Sequence, residues 1–186
     1  MKKLVVALAF VAALTAVVLA PLPVDDSTRI VTTATIEQPI AQVYEYVTTP
    51  GKWPQWHPSS VAVSGAADHS LALGERATED FVVAGRRGRA VWTVTGREAP
   101  NRWTIEADVD GRQAGTITYS LAREGAGTRF ERELTYRSPN LLFGLLNRAY
   151  IRAQVEAESA AALRRLKQVL EDGPRAERAR AARPRA

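Results

Sequence analysis

The stretch RWTIEADVDGRQAGTITYSLAREGAGTRFERELTYR, from Arg102 to Arg137, alternates apolar and polar residues and is interrupted twice by turn-forming residues. A period of two is typical of β-strands with one buried face. The interruptions, DG at 110–111 and EGAG at 124–127, are short enough to join neighbouring strands as hairpins. No proline occurs between Asn101 and Ser138, as interior strands require. The stretch therefore predicts three antiparallel strands at 102–109, 113–122 and 128–137.

The same period continues upstream of this stretch. It predicts strands at 61–64, 76–83 and 89–98, separated by turn residues such as AGRRG at 84–88 and EAPN at 98–101. RIVTTATI, from Arg29 to Ile36, is rich in β-branched residues and predicts the first strand. Between Pro39 and Val47 the apolar residues follow helical spacing, and KWPQWHP at 52–58 predicts a second short helix or tight turn.

After Arg137 the apolar period changes to 3.6 residues. Ser138 and Pro139 are a good N-cap and first helical residue, and Asp172-Gly173-Pro174 is a good stop. One long helix is predicted between them, loosened near Gly144. The predicted fold class is therefore α+β: a curved antiparallel seven-stranded sheet wrapped around a long C-terminal helix, with two short helices after the first strand. A single helix cannot fill a wide sheet, so we expect a cavity between them.

Composition excludes several classes of function. The 186-residue chain carries a formal net charge of +5, but residues 21–171 hold 18 basic and 18 acidic residues, so a nucleic-acid partner is not expected. Without cysteine, disulfides and cysteine metal clusters are impossible. The two histidines, His57 and His69, lack metal-site spacing, and GAG at 125–127 lacks the rest of a dinucleotide motif. We therefore expect neither a metal nor a cofactor.

The N-terminus has the pattern of a membrane segment. Lys2 and Lys3 precede an uncharged run from Leu4 to Ala20, which spans about 25 Å as a helix. We predict an anchor at 1–23, a linker at 24–28 and an exported domain at 29–172, on the periplasmic or extracellular side. A cleaved secretory peptide is the alternative, although Pro21 would follow the cleavage site. The Arg- and Ala-rich tail at 173–186 is expected to be disordered.

Four segments, in this order, resemble the START/Bet v1-like (SRPBCC) superfamily, in particular its polyketide cyclase/dehydrase and lipid-transport group. They are IEQPIAQVYEYVTTPGKWPQWHP (36–58), VTGREAPNRW (94–103), GTRFERELTY (127–136) and LRRLKQVLE (163–171). The resemblance extends over residues 29–171. It implies the helix-grip fold with a hydrophobic pocket, and some members of the family carry an N-terminal anchor. Function varies widely in this family, so the fold alone does not determine an activity.

The alternation also predicts which side chains face the helix and line a cavity. Two of them, Glu79 and Arg132, break the apolar pattern. A buried charge needs a partner, so these two form an ion pair with each other, or contact a ligand or water in the cavity. The candidate ligand-binding residues are Glu79, Phe81, Trp92, Val94, Trp103, Ile105, Ile117, Tyr119, Phe130, Arg132, Leu134 and Tyr136.

His57 is a weak candidate for a catalytic base because histidine titrates near neutrality. No acidic residue lies near it in sequence to orient the ring. Trp53 and Trp56, stiffened by the adjacent prolines, instead favour a rigid segment that closes one end of the cavity. Tyr119 is the other weak catalytic candidate.

Together these patterns predict a membrane-anchored, monomeric protein that binds a hydrophobic or amphipathic small molecule such as a lipid. One alternative is a cyclase/dehydratase-like enzyme that acts on a polyketide-like substrate by general acid–base catalysis. Another is an interaction module of the cell envelope.

The start of the long helix, NLLFGLLNRAYI at 140–151, is apolar on more than one face. It either packs under a neighbouring loop or exposes apolar surface at the mouth of the cavity.

Overall fold

A computed structural model describes residues 2–20 and 26–181. The strands are β1 Ser27–Ile36, β2 Ser60–Gly65, β3 Arg76–Val83, β4 Arg86–Glu98, β5 Arg102–Val109, β6 Arg112–Glu124 and β7 Gly127–Arg137. The helices are α1 Lys2–Leu19, α2 Ile40–Thr48, α3 Trp53–Trp56, α4 Leu141–Leu146 and α5 Arg152–Ala181. A 3₁₀ turn, Pro50–Lys52, precedes α3, and a π-helical turn, Asn147–Ile151, joins α4 to α5.

The seven strands form one antiparallel sheet in the order β1-β7-β6-β5-β4-β3-β2, which confirms the predicted meander. The first strand pairs with the last, so the ends of the domain meet at one edge of the sheet. The pairing register shifts in β2–β3, in β4–β5 next to Gly96, and in β5–β6 next to Ala107. Such bulges increase the local bend and twist, and so help the sheet to curve around the C-terminal helix.

A cluster of aromatic rings fills one end of the sheet. The Trp103 ring stacks on Tyr119 with centroids 5.4 Å apart, and Trp53 and Trp56 meet these rings edge to face. The indole N–H of Trp53 donates to the carbonyl of Val47, so α3 is fastened to α2. The WPQW segment thus has the structural role predicted for it, since burial of such rings contributes a large hydrophobic stabilisation.

The C-terminal helix begins two residues later than predicted. The N–H of Ser138 donates to the carbonyl of Asp26, so this residue still extends the β1–β7 ladder, and its hydroxyl caps no helix because it has no hydrogen-bond partner among the described residues. Asn140 is the N-cap instead, and its side chain accepts a hydrogen bond from the N–H of Phe143 at 2.8 Å. The loosening was predicted near Gly144, which lies within α4; the π-helical turn starts three residues later, at Asn147.

The predicted stop at Asp172-Gly173-Pro174 is wrong, because α5 continues to Ala181. Gly173 does not adopt the left-handed conformation of a helix C-cap. The alanine, arginine and glutamate residues that follow Pro174 also have high helix propensity. Of the tail predicted to be disordered, residues 182–186 lie outside the described residues, as do residues 21–25, which include the start of the predicted linker.

Helix α1 lies beside α4. Five of its large apolar side chains are more than half exposed: Leu4, Leu8, Val11, Val17 and Leu19. None of the helices in the described part of the chain has the length and apolar character needed to cross a membrane.

Candidate functional site

A cavity of about 220 Å³ lies between the concave face of the sheet and the C-terminal helix. It exists because the inner face carries small residues where the helix does not reach the sheet: Ala90 on β4, Ala107 on β5, and Ala114 and Gly115 on β6. At roughly 10–15 Å³ per water-sized sphere, this volume holds a small organic molecule.

The cavity has a closed end and an open end. Trp53, Trp56, Trp92 and Tyr119 line the closed end and are all buried. The lining residues near the hairpin tips and the start of the C-terminal helix are partly exposed. We call this partly exposed set the mouth: Phe81, Val83, Val109, Ala114, Leu134, Tyr136, Phe143 and Ile151.

Arg132 projects into the cavity from the middle of β7. The register with β6 places it opposite Tyr119, and only 4% of the residue is exposed. Its Nη1 donates to the hydroxyl of Ser159 on α5 at 3.2 Å, whereas its Nε has no partner among the described residues. Arg132 is therefore a buried cation with an unused hydrogen-bond donor.

Glu79 projects into the same cavity from β3. It accepts a 2.7 Å hydrogen bond from the indole N–H of Trp92. Burial raises the pKa of the Glu79 carboxyl, while this indole and the charge of Arg132 oppose the rise. Among the described residues no salt bridge joins Arg132 to Glu79, so the ion pair that the sequence offers as one possibility is not found. Both side chains line the same cavity.

His57 and Tyr119 complete the polar part of the cavity. Burial, together with the charge of Arg132, lowers the pKa of His57 well below its usual value, so the imidazole is neutral at pH 7. Its buried Nε2 has no partner among the described residues. Burial raises the pKa of Tyr119 to about 12, so the phenol keeps its proton. We call His57, Glu79, Tyr119 and Arg132 the polar centre; with Arg132 and Tyr119 as donors, it can bind a carbonyl or carboxylate oxygen.

The structure brings most of the predicted ligand-binding residues together. Those that line the cavity are Glu79, Phe81, Trp92, Ile105, Ile117, Tyr119, Arg132, Leu134 and Tyr136, together with the candidate base His57. Val94, Trp103 and Phe130 are not among the lining residues and lie in the packed core. The sequence did not single out Phe143, Ile151 and Val155, which form the helical wall.

Elsewhere, His69 is exposed and its ring contacts the carboxylates of Asp68 and Glu75. Within residues 2–20 and 26–181, no group of three or more histidine, cysteine or acidic side chains could hold a metal ion.

Comparisons with known proteins agree with this architecture. A family model described as polyketide cyclase / dehydrase and lipid transport matches residues 27–171. Among solved structures, TTHA0849 from Thermus thermophilus superposes with a TM-score of 0.64 at 18% identity, covering 78% of this chain and 99% of that one. Protein Ms6760 from Mycobacterium smegmatis gives a TM-score of 0.58 at 19% identity, covering 81% and 99%.

DynU16, from the dynemicin biosynthetic locus, gives a TM-score of 0.58 at 18% identity over 78% of this chain and 48% of that one. At these identities the superpositions establish the fold alone. No curated protein matches the chain.

Proposed function

Because the chain belongs to the family of polyketide cyclase/dehydrase and lipid-transport proteins, we propose that its cavity binds an amphipathic small molecule. The oxygen-bearing head of this molecule contacts the polar centre, and its apolar body extends to the mouth. The family match supports a ligand-binding or cyclase-like domain; the class of ligand and its orientation are our proposal.

The observation that carries the proposal is the Nε of Arg132, which has no partner among the described residues and lies in a cavity whose lining is mostly apolar. A guanidinium remains charged when it is buried, and burial without partners is costly. A carbonyl or carboxylate oxygen would accept a charge-assisted hydrogen bond from this donor. Such a ligand would therefore be held most strongly at its oxygen-bearing end.

Glu79 sets the preferred charge of that head. When its carboxyl is protonated, the charge of Arg132 is uncompensated and an anionic head is favoured. When it is ionised, the two charges balance and a neutral carbonyl is favoured. Since burial raises the pKa of Glu79, the protonated form extends to higher pH than in a free glutamate.

Native mass spectrometry of the full-length protein, purified under mild conditions, tests the proposal. We expect a bound small molecule that carries an oxygen-bearing head and an apolar body, and that is absent from the Arg132→Leu variant. An environment-sensitive apolar dye should bind the free protein and be displaced by fatty acids. A folded protein that retains no small molecule and binds no apolar dye would contradict this function.

The second candidate function is a cyclase- or dehydratase-like reaction on a substrate with neighbouring carbonyl groups. His57 favours it, because its buried and unpartnered Nε2 lies in the same cavity as Arg132. Arg132 and Tyr119 would polarise a carbonyl, and neutral His57 would take a proton from the adjacent carbon. Protein-dependent deuterium exchange at that carbon of a β-dicarbonyl compound, lost in His57→Gln, would support the reaction; no exchange would leave binding alone.

We also propose that the N-terminal segment 1–23 tethers the domain to a membrane, with the domain on the exported side. The support is the uncharged run from Leu4 to Ala20 behind two lysines. The exposure of the large apolar side chains of α1 agrees with a lipid-facing helix.

A further inference from the structure

Phe81 and Gly88 are direct partners across the β3–β4 pair, close to the mouth of the cavity. The phenyl ring of Phe81 lies on the backbone of Gly88. A Cβ atom at position 88 would fall 2.9 Å from Cε2 and 3.1 Å from Cε1 of this ring. Real Cβ atoms do not approach ring carbons so closely, so the ring occupies its place only because residue 88 has no side chain.

The backbone does not explain this glycine. Gly85, in the adjacent turn, has a φ of +77° and is needed for that turn, whereas Gly88 does not adopt the left-handed conformation. An alanine would therefore fit the strand at position 88 without backbone strain. What an alanine would remove is the space that the Phe81 ring now occupies.

A displaced ring would enter the cavity. On one side of Phe81 lies its partner on β2, Ser60, which is buried with 6% exposure and leaves little room. On the other side lies the cavity, which Phe81 lines together with Val83, Ala90 and Phe143 of the helical wall. The ring would turn over this volume and narrow the mouth.

We infer that Gly88 determines the size of the ligand that the cavity admits, because it lets the Phe81 ring lie flat on the sheet and leaves the mouth wide. This inference rests on the proposed function, since it concerns the same cavity. From the sequence, residues 84–88 were identified only as a turn. The inference gives the last of them, Gly88, a role in limiting ligand size.

The experiment measures how a series of carboxylic acids of increasing length and ring width displaces an apolar dye from four full-length proteins: wild type, Gly88→Ala, Phe81→Ala and the double variant. Arg87→Ala, a change to the exposed neighbour of Gly88, is the control. We expect Gly88→Ala to lose at least roughly 10- to 200-fold in affinity for the bulkiest acids, the range that one extra methylene costs in an apolar pocket, and to keep its affinity for the smallest acids. Phe81→Ala should shift the preference towards bulkier acids, and the double variant should behave like Phe81→Ala.

An unchanged size profile in Gly88→Ala would overturn the inference, as would a double variant that keeps the Gly88→Ala defect. If Gly88→Ala does not fold, the shift in Phe81→Ala decides the matter, and an unshifted profile overturns the inference. If the wild type binds no dye, this result contradicts the proposed function and leaves the inference about Gly88 to a different measurement. The crystal structure of Gly88→Ala then decides: a ring turned over the cavity supports the inference and an unmoved ring overturns it.

Discussion

The guanidinium of Arg132 lies in the cavity, donates to the hydroxyl of Ser159, and leaves its Nε without a partner among the described residues. Because no carboxylate among the described residues forms an ion pair with it, its replacement by leucine should not leave a stranded charge. We expect Arg132→Leu to melt at or above the wild-type temperature, as apolar replacements of buried charges often do. Its affinity for anionic amphiphiles should fall about 10- to 100-fold, the equivalent of one charge-assisted hydrogen bond worth ~1.5–3 kcal/mol.

The matched control for this change is Arg129→Leu, which removes the same charge from an exposed position of the same strand. It should bind anionic and neutral amphiphiles like the wild type. A loss of ~3–5 kcal/mol in the unfolding free energy of Arg132→Leu would instead indicate that a buried ion pair had been broken.

Glu79 makes ligand binding and stability depend on pH in a defined direction. Its pKa in the folded protein is raised above the usual value of 4.5. Its contribution to stability is therefore fully present below pH 4.5 and is lost as the pH rises through the raised pKa. Over the same window, ionisation of Glu79 should weaken the binding of an anionic head beside Arg132.

An alkyl sulfate tests this dependence, because its own charge does not titrate. We expect its affinity to fall with rising pH in the wild type, and to fall less in Glu79→Gln. His57 titrates in the same direction at acidic pH, so the informative quantity is the difference between the two proteins. Identical pH profiles would show that Glu79 does not sense the ligand.

At the scale of secondary-structure elements, the π-helical turn brings one polar side chain into the fold. Asn147 is buried with 4% exposure. Its Oδ1 accepts from the hydroxyl of Tyr136 at 2.6 Å, and its Nδ2 donates to Thr28 Oγ1 at 2.8 Å. These bonds connect the start of the C-terminal helix to β7 and β1. The wider turn is where the helix directs this amide towards the sheet edge.

Asn147→Ala should therefore destabilise the domain by about 1–3 kcal/mol, because it leaves two polar groups without their partner. Tyr136→Phe removes only the hydroxyl that donates to Asn147, so it should lower the unfolding free energy by less, about 0.5–1.5 kcal/mol. Urea unfolding of both variants measures these effects. Equal costs for the two variants would show that the amide contributes no more than the tyrosine bond alone.

The strands were predictable from sequence because the alternation of apolar and polar residues and the positions of the turn residues agree. The structure places Arg132, Glu79 and Tyr119 on the inner face of the sheet, as the alternation predicts. The helix start was not, because Ser138 looks like an N-cap while its N–H completes the ladder to β1. The helical wall was also not predictable, because residues 140–151 carry apolar side chains on several faces of the helix and the sequence does not show which face lines a cavity. Small residues such as Ala90 and Gly115 carry no signal at all, although their smallness creates the cavity.

At the scale of the whole molecule, the cavity follows from the proportions of the fold. Seven curved strands present more inner surface than the C-terminal helix and the two short helices can cover. Large aromatic side chains fill the closed end, and small residues leave the other end empty. In the proposed function, the polar centre holds one end of a ligand and the mouth limits the size of the rest.

The proposed membrane tether also concerns the whole molecule. We expect the full-length protein to sediment with membranes and to retain its N-terminus, with an intact mass near 20.3 kDa. Val11→Glu places a charge within the apolar run and should release part of the protein, because a charged residue in a lipid-inserted helix costs ~2.5–3.5 kcal/mol. Val61→Glu, at an exposed position of β2, is the matched control and should not alter the distribution. A soluble protein that begins at Pro21 or later would show that the segment is a cleaved secretory peptide.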